Sequence, residues 1–296
     1  MKSGRFSFNR AIARDAVRRC WPIWGIYCIY LIISFPLVLI EEAHSLPNTN
    51  PEDQLFRMAQ TIYHNGIVQA VIGSVAAILV VMILFGFLFN SRRNTLMNSL
   101  PIRRESLFLT MFLTGLAPIL LCQVLITGLS MLLTVSRGIA ASCFLKWFGC
   151  AALGYIAFYG FAVFCAMLTG NLVVLPAVYL VLNFTANVFE AAVSSCLSTL
   201  VYGLSGLTPR FEWLSPYVYL ERKLTMSAGS GGSVTFSGLS ALWLYAAAGL
   251  VFAILAALLY RRRRMECVSD FVAIPVLKPI FQLNLSILQT IQGLYI

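Results

Sequence analysis

Six stretches of the chain are apolar for about 20 residues or more, from about Trp21 to Ile40, Ile67 to Phe89, Leu107 to Val135, Trp147 to Leu168, Leu172 to about Ser195, and Leu239 to Tyr260. A helix needs roughly 20 such residues to cross a hydrocarbon core about 30 Å thick. Nothing else constrains the fold as strongly. The runs are continuously apolar, whereas barrel strands alternate over about ten residues, so helices are expected. Composition agrees: a soluble domain carries roughly a quarter charged residues, and this chain has 11%. The expected fold is all-α and polytopic, which excludes a soluble enzyme, a disulfide-stapled secreted domain and a disordered regulator. Pro36, Pro118 and Pro176 fall in or near three of the spans, where neighbouring groups can satisfy the carbonyls that proline frees.

The formal net charge of +10 suggests nucleic acid only until its residues are placed. If the amino terminus is cytoplasmic, 15 of the 21 basic residues and four of the 11 acids fall inside. Six basic and six acidic residues fall outside, and Glu190 lies within the fifth span. Retention of Lys and Arg on the cytoplasmic side sets both termini inside, with an even number of spans. No nucleic-acid partner is needed to explain the excess. Five arginines in the first 19 residues argue against a secretory n-region, so no signal peptide is expected. The eight cysteines form no CxxC pair; most sit in or beside spans, where Cys serves as a small packing residue. No metal site is expected.

Between the spans, residues 1–20 contain a helix-period pattern. Phe8, Ile12, Ala13, Ala16, Val17 and Cys20 fall on one side, while Arg10, Arg14 and Arg18 recur on the other. Two readings stand: an amphipathic elbow helix along the inner membrane surface, or a charged topogenic tail. The loop over residues 91–106 mixes Arg92, Arg93, Arg103, Arg104 and Glu105 with Leu96, Met97, Leu100 and Ile102. The three-residue link Thr169-Gly170-Asn171 shows that a connector can be shorter and free of large apolar groups. Apolar side chains on a cytoplasmic loop need a partner surface or the membrane interface. A short helix breaking at Pro101 would present them as a knob. Residues 196–236 are apolar and aromatic for an exterior loop, and are expected to dip as a re-entrant hairpin with Trp213, Tyr217 and Tyr219 at headgroup depth. A basic tail, residues 261–296, follows the last span.

Catalytic chemistry is mostly absent. None of Lys2, Lys146, Lys223 and Lys278 follows a glycine, so no phosphate-binding P-loop is carried. The Gly203-Leu204-Ser205-Gly206 run matches an intramembrane serine protease motif, but His44 and His64 are the sole histidines and precede it, leaving the serine without a base. Glu190 has three readings: lining a translocation path, docking the outer hairpin, or marking an early end of the fifth span.

The run Ser99-Leu100-Pro101-Ile102-Arg103-Arg104-Glu105, followed by Leu107-Phe108, resembles the corresponding loop in membrane subunits of bacterial type 2 ATP-binding-cassette exporters. The tail from Arg264-Met265-Glu266 to Leu277-Lys278-Pro279-Ile280-Phe281 resembles the segment after the sixth helix of those proteins. The likeness covers most of the chain. It implies a six-helix membrane domain over residues 21–260 in the bacterial cytoplasmic membrane, and a coupling helix in which Arg92, Arg93, Leu96, Leu100, Pro101, Ile102, Arg103, Arg104 and Glu105 dock onto a separate ATPase. It also implies a second permease copy or paralogue, and ATP with magnesium held by the partner rather than by this chain. Several members of that family continue beyond the matching tail, so a short form or a truncation is expected here. The rival expectation is a stand-alone accessory or immunity protein without a motor.

Overall fold

In the computed structural model the described residues are 10–45, 51–99, 102–134, 141–200, 212–223, 225–228 and 234–262. Nine helices account for nearly all of them. They are α1 (Arg10–Ile32), α2 (Val38–Ser45), α3 (Pro51–Leu84), α4 (Ser91–Ser99), α5 (Arg104–Thr134), α6 (Ala141–Leu168), α7 (Val174–Leu200), α8 (Pro216–Lys223) and α9 (Leu239–Arg262). Between α8 and α9 runs a two-stranded antiparallel hairpin, β1 (Thr225–Ala228) and β2 (Val234–Ser237), pairing Thr225 with Ser237 and Ala228 with Val234. Strands were not expected beside the Gly/Ser run of residues 229–233. Gly238 closes the hairpin at φ 92°, a backbone conformation that glycine adopts without a Cβ penalty, and its carbonyl accepts from the Ala241 N–H at 3.1 Å to begin α9.

Five helical stretches are long and apolar enough to cross a membrane: Arg10–Glu42, Arg57–Leu84, Arg104–Leu133, Ala141–Leu168 and Leu239–Arg261. A sixth exists if Val174–Thr185 and Asn187–Ser195, bent by 53°, form one broken span. These are the helices of a multi-pass membrane protein. The second stretch begins earlier than the apolar run implies, because Met58, Ala59 and Ile62 are buried and carry the helix through residues assigned to an exterior loop. No separate elbow helix interrupts residues 10–20, which run without a break into α1. Ala13, Ala16 and Cys20 on their apolar side are buried, with Ala16 and Cys20 belonging to the protein core.

The prolines behave according to position. Pro36 sits in a π-helical turn, Ile33–Leu37, as expected where a missing N–H opens the ladder. Near Pro118 the Tyr155 hydroxyl donates to the Gly115 carbonyl at 2.9 Å. Pro176 falls in the first turn of α7, where its absent N–H costs no intrahelical bond.

Helix α6 is the axis of the bundle. Of its most apolar stretch 83% is buried, against 28% for α9 and 33% for α5. It runs parallel to α3 and α9 and antiparallel to α5, with Gly154 beside Ala70 and Gly160 beside Gly249. A Cβ built on Gly160 would collide with the Gly249 carbonyl oxygen, and one on Gly249 would lie 2.6 Å from Ala157 Cα. Small residues at such crossings let backbones approach where no hydrophobic contrast with lipid drives association. On α3 the outward stripe Val71, Val75, Leu79, Ile83 is as apolar as the inward Ala70, Ala77, Val81, Leu84.

Several polar groups inside the bundle are paired across helices or turned back on their own. Tyr27 Oη accepts from Gln69 Nε2 at 2.6 Å and Gln123 Nε2 at 2.8 Å, joining α1, α3 and α5. Trp147 Nε1 donates to Asn65 Oδ1 at 3.1 Å, while its ring stacks on Phe35 at 4.0 Å. Thr110, Thr114 and Thr127 each return their hydroxyl to the carbonyl four residues earlier, which satisfies a buried hydroxyl without a partner helix. The Cys residues at 20, 28, 122, 143, 150 and 165 are free thiols, all but the half-buried Cys28 buried.

Candidate functional site

The loop after α3 is built as a capped helix. Helix α3 gives way to a 3₁₀ turn, Gly86–Phe89, that buries Phe87 and Leu88. Asn90 then extends (φ −119°, ψ 114°), the backbone geometry of an N-cap. Its Oδ1 accepts from the Arg92 N–H at 3.2 Å and lies 3.5 Å from the Arg93 nitrogen. Its carbonyl accepts from the Asn94 N–H at 2.9 Å. Thr95 and Ser99 hydroxyls donate to the Ser91 and Leu96 carbonyls at 3.0 and 2.9 Å. The nine-residue α4 that results turns Asn94 inward and rests the half-buried Met97 on the core. Arg92, Arg93 and Leu96 face outward, Leu96 with 68% of its surface exposed.

The far side of the loop joins the same end of the bundle. Arg103 and Arg104 are exposed and Ile102 is half-buried; Leu100 and Pro101 lie outside the described residues. Glu105, in the first turn of α5, accepts from Arg261 Nε at 3.0 Å, and Phe108 packs on Tyr260 at 5.8 Å between ring centroids. The last turn of α9 is thereby tied to the first turn of α5. Since α1 starts at this end too, Arg10, Arg14 and Arg18 add to it, with Arg19 held by Asp15 at 2.7 Å. Asp15 and Glu105 are the acids of this end among the described residues, and both are in ion pairs. The surface that the described residues leave is positive, with Leu96 projecting from it.

Glu190 belongs to a different place. It is half-buried in the second half of α7, past the 53° bend, in the half of that helix away from the basic end. The bend has a visible brace: the Asn187 N–H donates to Ser215 Oγ at 3.0 Å. A side chain that enters a helical ladder from outside is a recognised cause of a kink. Next to Ser215, Tyr217 is plugged into the bundle, its ring stacked on Phe158 at 4.6 Å and on Phe184 at 5.3 Å. Its hydroxyl donates to Ser74 and lies 3.4 Å from that of Tyr179. Tyr217 is therefore held by two aromatic faces and two hydroxyls within the protein. Trp213, by contrast, has 53% of its surface exposed.

Of the residues singled out from sequence, the structure brings Arg92, Arg93, Leu96, Ile102, Arg103, Arg104 and Glu105 to one end, and leaves Glu190 apart. Two contributors were missed. Asn90 was legible, since Asn directly before a helical run is a cap signal. The Glu105–Arg261 pair was not, because 155 residues of sequence separate its partners.

No protein-family model matches the chain, and no curated protein matches it at a significant level.

Proposed function

We propose that the chain is the permease subunit of an ATP-binding-cassette exporter, coupled to a separate ATPase through α4 and the residues that follow it. The observation that carries this reading is α4 itself. A capped helix projects Arg92, Arg93 and Leu96 from a basic end, and the other described residues leave that outward face exposed. An exposed leucine framed by guanidinium groups suits a cleft with an apolar floor and an acidic rim. The resemblance of residues 99–108 to the exporter loop points the same way, and the charge bias favours the cytoplasmic side for this end.

In this reading ATP and magnesium are held by the partner, and two permease copies, or this chain and a paralogue, surround one path. Closure of the ATPases displaces α4. The displacement passes to the bundle through α3 and α5, which flank α4, and to α9 through the Glu105–Arg261 pair. No covalent step falls to this chain.

The test is co-expression with the ATP-binding-cassette ATPase encoded nearest to it, followed by purification in detergent. The expected result is a stoichiometric complex that hydrolyses ATP and is lost in Arg92→Glu/Arg93→Glu/Leu96→Asp. A complex that survives this triple substitution removes the assignment. So does a Thr95→Cys variant that an impermeant thiol reagent labels from the cell exterior.

A further inference from the structure

Helix α8 buries Leu220, but its last two residues, Arg222 and Lys223, are exposed. They line an open pocket of about 760 Å³ between α8, the 3₁₀ turn Glu212–Leu214 and the first turns of α9. Contacts within the chain brace its walls. Lys223 Nζ lies over the Tyr219 ring, 5.8 Å from the centroid, a distance at which a cation is attracted to the ring face. Tyr219 meets Tyr245 edge-on at 5.9 Å, and the Tyr245 hydroxyl donates to the Trp213 carbonyl at 2.6 Å. The turn, α8 and α9 are thereby fixed around one space.

The pocket has two kinds of wall. Arg222, Lys223 and Ser240 supply positive charge and hydrogen-bond donors, and among the described residues no acid lines it. Trp213 and Leu244 form the other wall, with 53% and 64% of their surfaces exposed. From Leu244 the exposed side chains of α9 continue at helical spacing through Val251, Leu255 and Leu258, so the apolar wall runs on along the lipid-facing side of the helix. The length of α9 sets the depth. Its apolar stretch Leu239–Arg261 has 23 residues, which span about 35 Å against a hydrocarbon core about 30 Å thick. With Arg261 at one end, the first turn of α9 lies at the opposite boundary, where acyl chains give way to headgroups.

A soluble anion would use the cations and leave the apolar wall bare, while an uncharged acyl chain would gain nothing from the cations. An anionic amphiphile engages both. A zwitterionic lipid brings its own ammonium group, which Arg222 and Lys223 repel, whereas a phosphate with no such group gains charge-assisted hydrogen bonds from them. We propose that this pocket binds an anionic phospholipid, its phosphate held by Arg222 and Lys223 and one acyl chain laid along Trp213 and Leu244. The site belongs to this chain alone and does not depend on a motor partner.

The experiment uses the full chain in nanodiscs that mix phosphatidylglycerol and phosphatidylcholine, one of the two carrying dibromostearoyl chains, which quench tryptophan on contact. The part of the quenching that disappears in Trp213→Phe belongs to Trp213. It is expected to report a preference for phosphatidylglycerol of about 5-fold or more, the scale of one to two basic side chains near a charged lipid. Arg222→Gln/Lys223→Gln is expected to bring that preference to within about twofold of none. Arg57→Gln removes an exposed cation at the same end but outside the pocket, and should leave the preference within about twofold of the wild type. Native mass spectrometry gives an independent readout that needs no tryptophan: the double variant is expected to lose one bound phosphatidylglycerol. Glycerophosphoglycerol, the same head without chains, is expected not to relieve the quenching. The proposal is overturned by equal quenching from the two lipids, or by a preference or lipid count that survives the double variant. An equal loss in Arg57→Gln overturns it as well, marking a diffuse surface potential, and so does relief by glycerophosphoglycerol, which marks a site for a soluble phosphate.

Discussion

Two short helices interrupt the spans, and they are used in opposite ways. Helix α4 has nine residues and α8 has eight. α4 is held by its own cap and shows arginine and leucine to the outside. α8 turns inward: Leu220 and the preceding Ser215 are buried, and Tyr217 is clamped between two phenylalanines. Helix length does not distinguish them. A segment whose aromatic and hydroxyl groups find partners within the chain becomes part of the scaffold, as α8 does. A segment that is satisfied locally keeps its outer face for something else, as α4 does.

That contrast implies a descending series of effects on stability, each measured by unfolding in mixed micelles with a denaturing detergent. Tyr217→Ala removes the inserted ring and is expected to cost about 3 kcal/mol, at the lower end for a large aromatic truncation. Ser215→Ala deletes the brace on the Asn187 N–H and is expected to cost about 1–2 kcal/mol; a distance label across Val174 and Ser195 should also show α7 straightening, and an unchanged bend would mean the brace follows the kink rather than holding it. At the other end, Asn90→Ala is expected to cost about 1 kcal/mol, read best as faster amide exchange confined to α4. Smallest of all, Arg92→Glu/Arg93→Glu/Leu96→Asp should change stability by less than about 0.5 kcal/mol, as exposed substitutions do. A stability loss from this triple variant as large as that from Tyr217→Ala would erase the distinction between the two helices.

Several elements were legible because their signals are local. The apolar runs from Leu107, Trp147 and Leu239 reappear as α5, α6 and α9 with ends within a few residues. The mixed character of residues 91–106 marked a short helix with exposed charge, seen as α4 over Ser91–Ser99. Other features were hidden for physical reasons. Residues 57–66 of α3 pack with Met58, Ala59 and Ile62 buried, yet their sequence is polar enough to read as loop. Tyr217 looked like an interfacial aromatic because the same ring chemistry suits headgroups and a pocket of phenylalanines.

By itself the sequence determined that this chain partitions into a membrane as a set of helices, and that its charge is gathered into a few short segments. Long apolar runs allow no other solution, because each backbone polar group in hydrocarbon must be satisfied within its own helix or a closed barrel. The tertiary structure alone decided which faces meet, where α7 bends and which short helix is drawn inward. Helices that are apolar on every side offer no polarity contrast to choose a packing face. The choice falls instead to shape: glycines at 160 and 249 that admit a neighbouring backbone, and hydroxyl and amide groups that must find each other across the bundle.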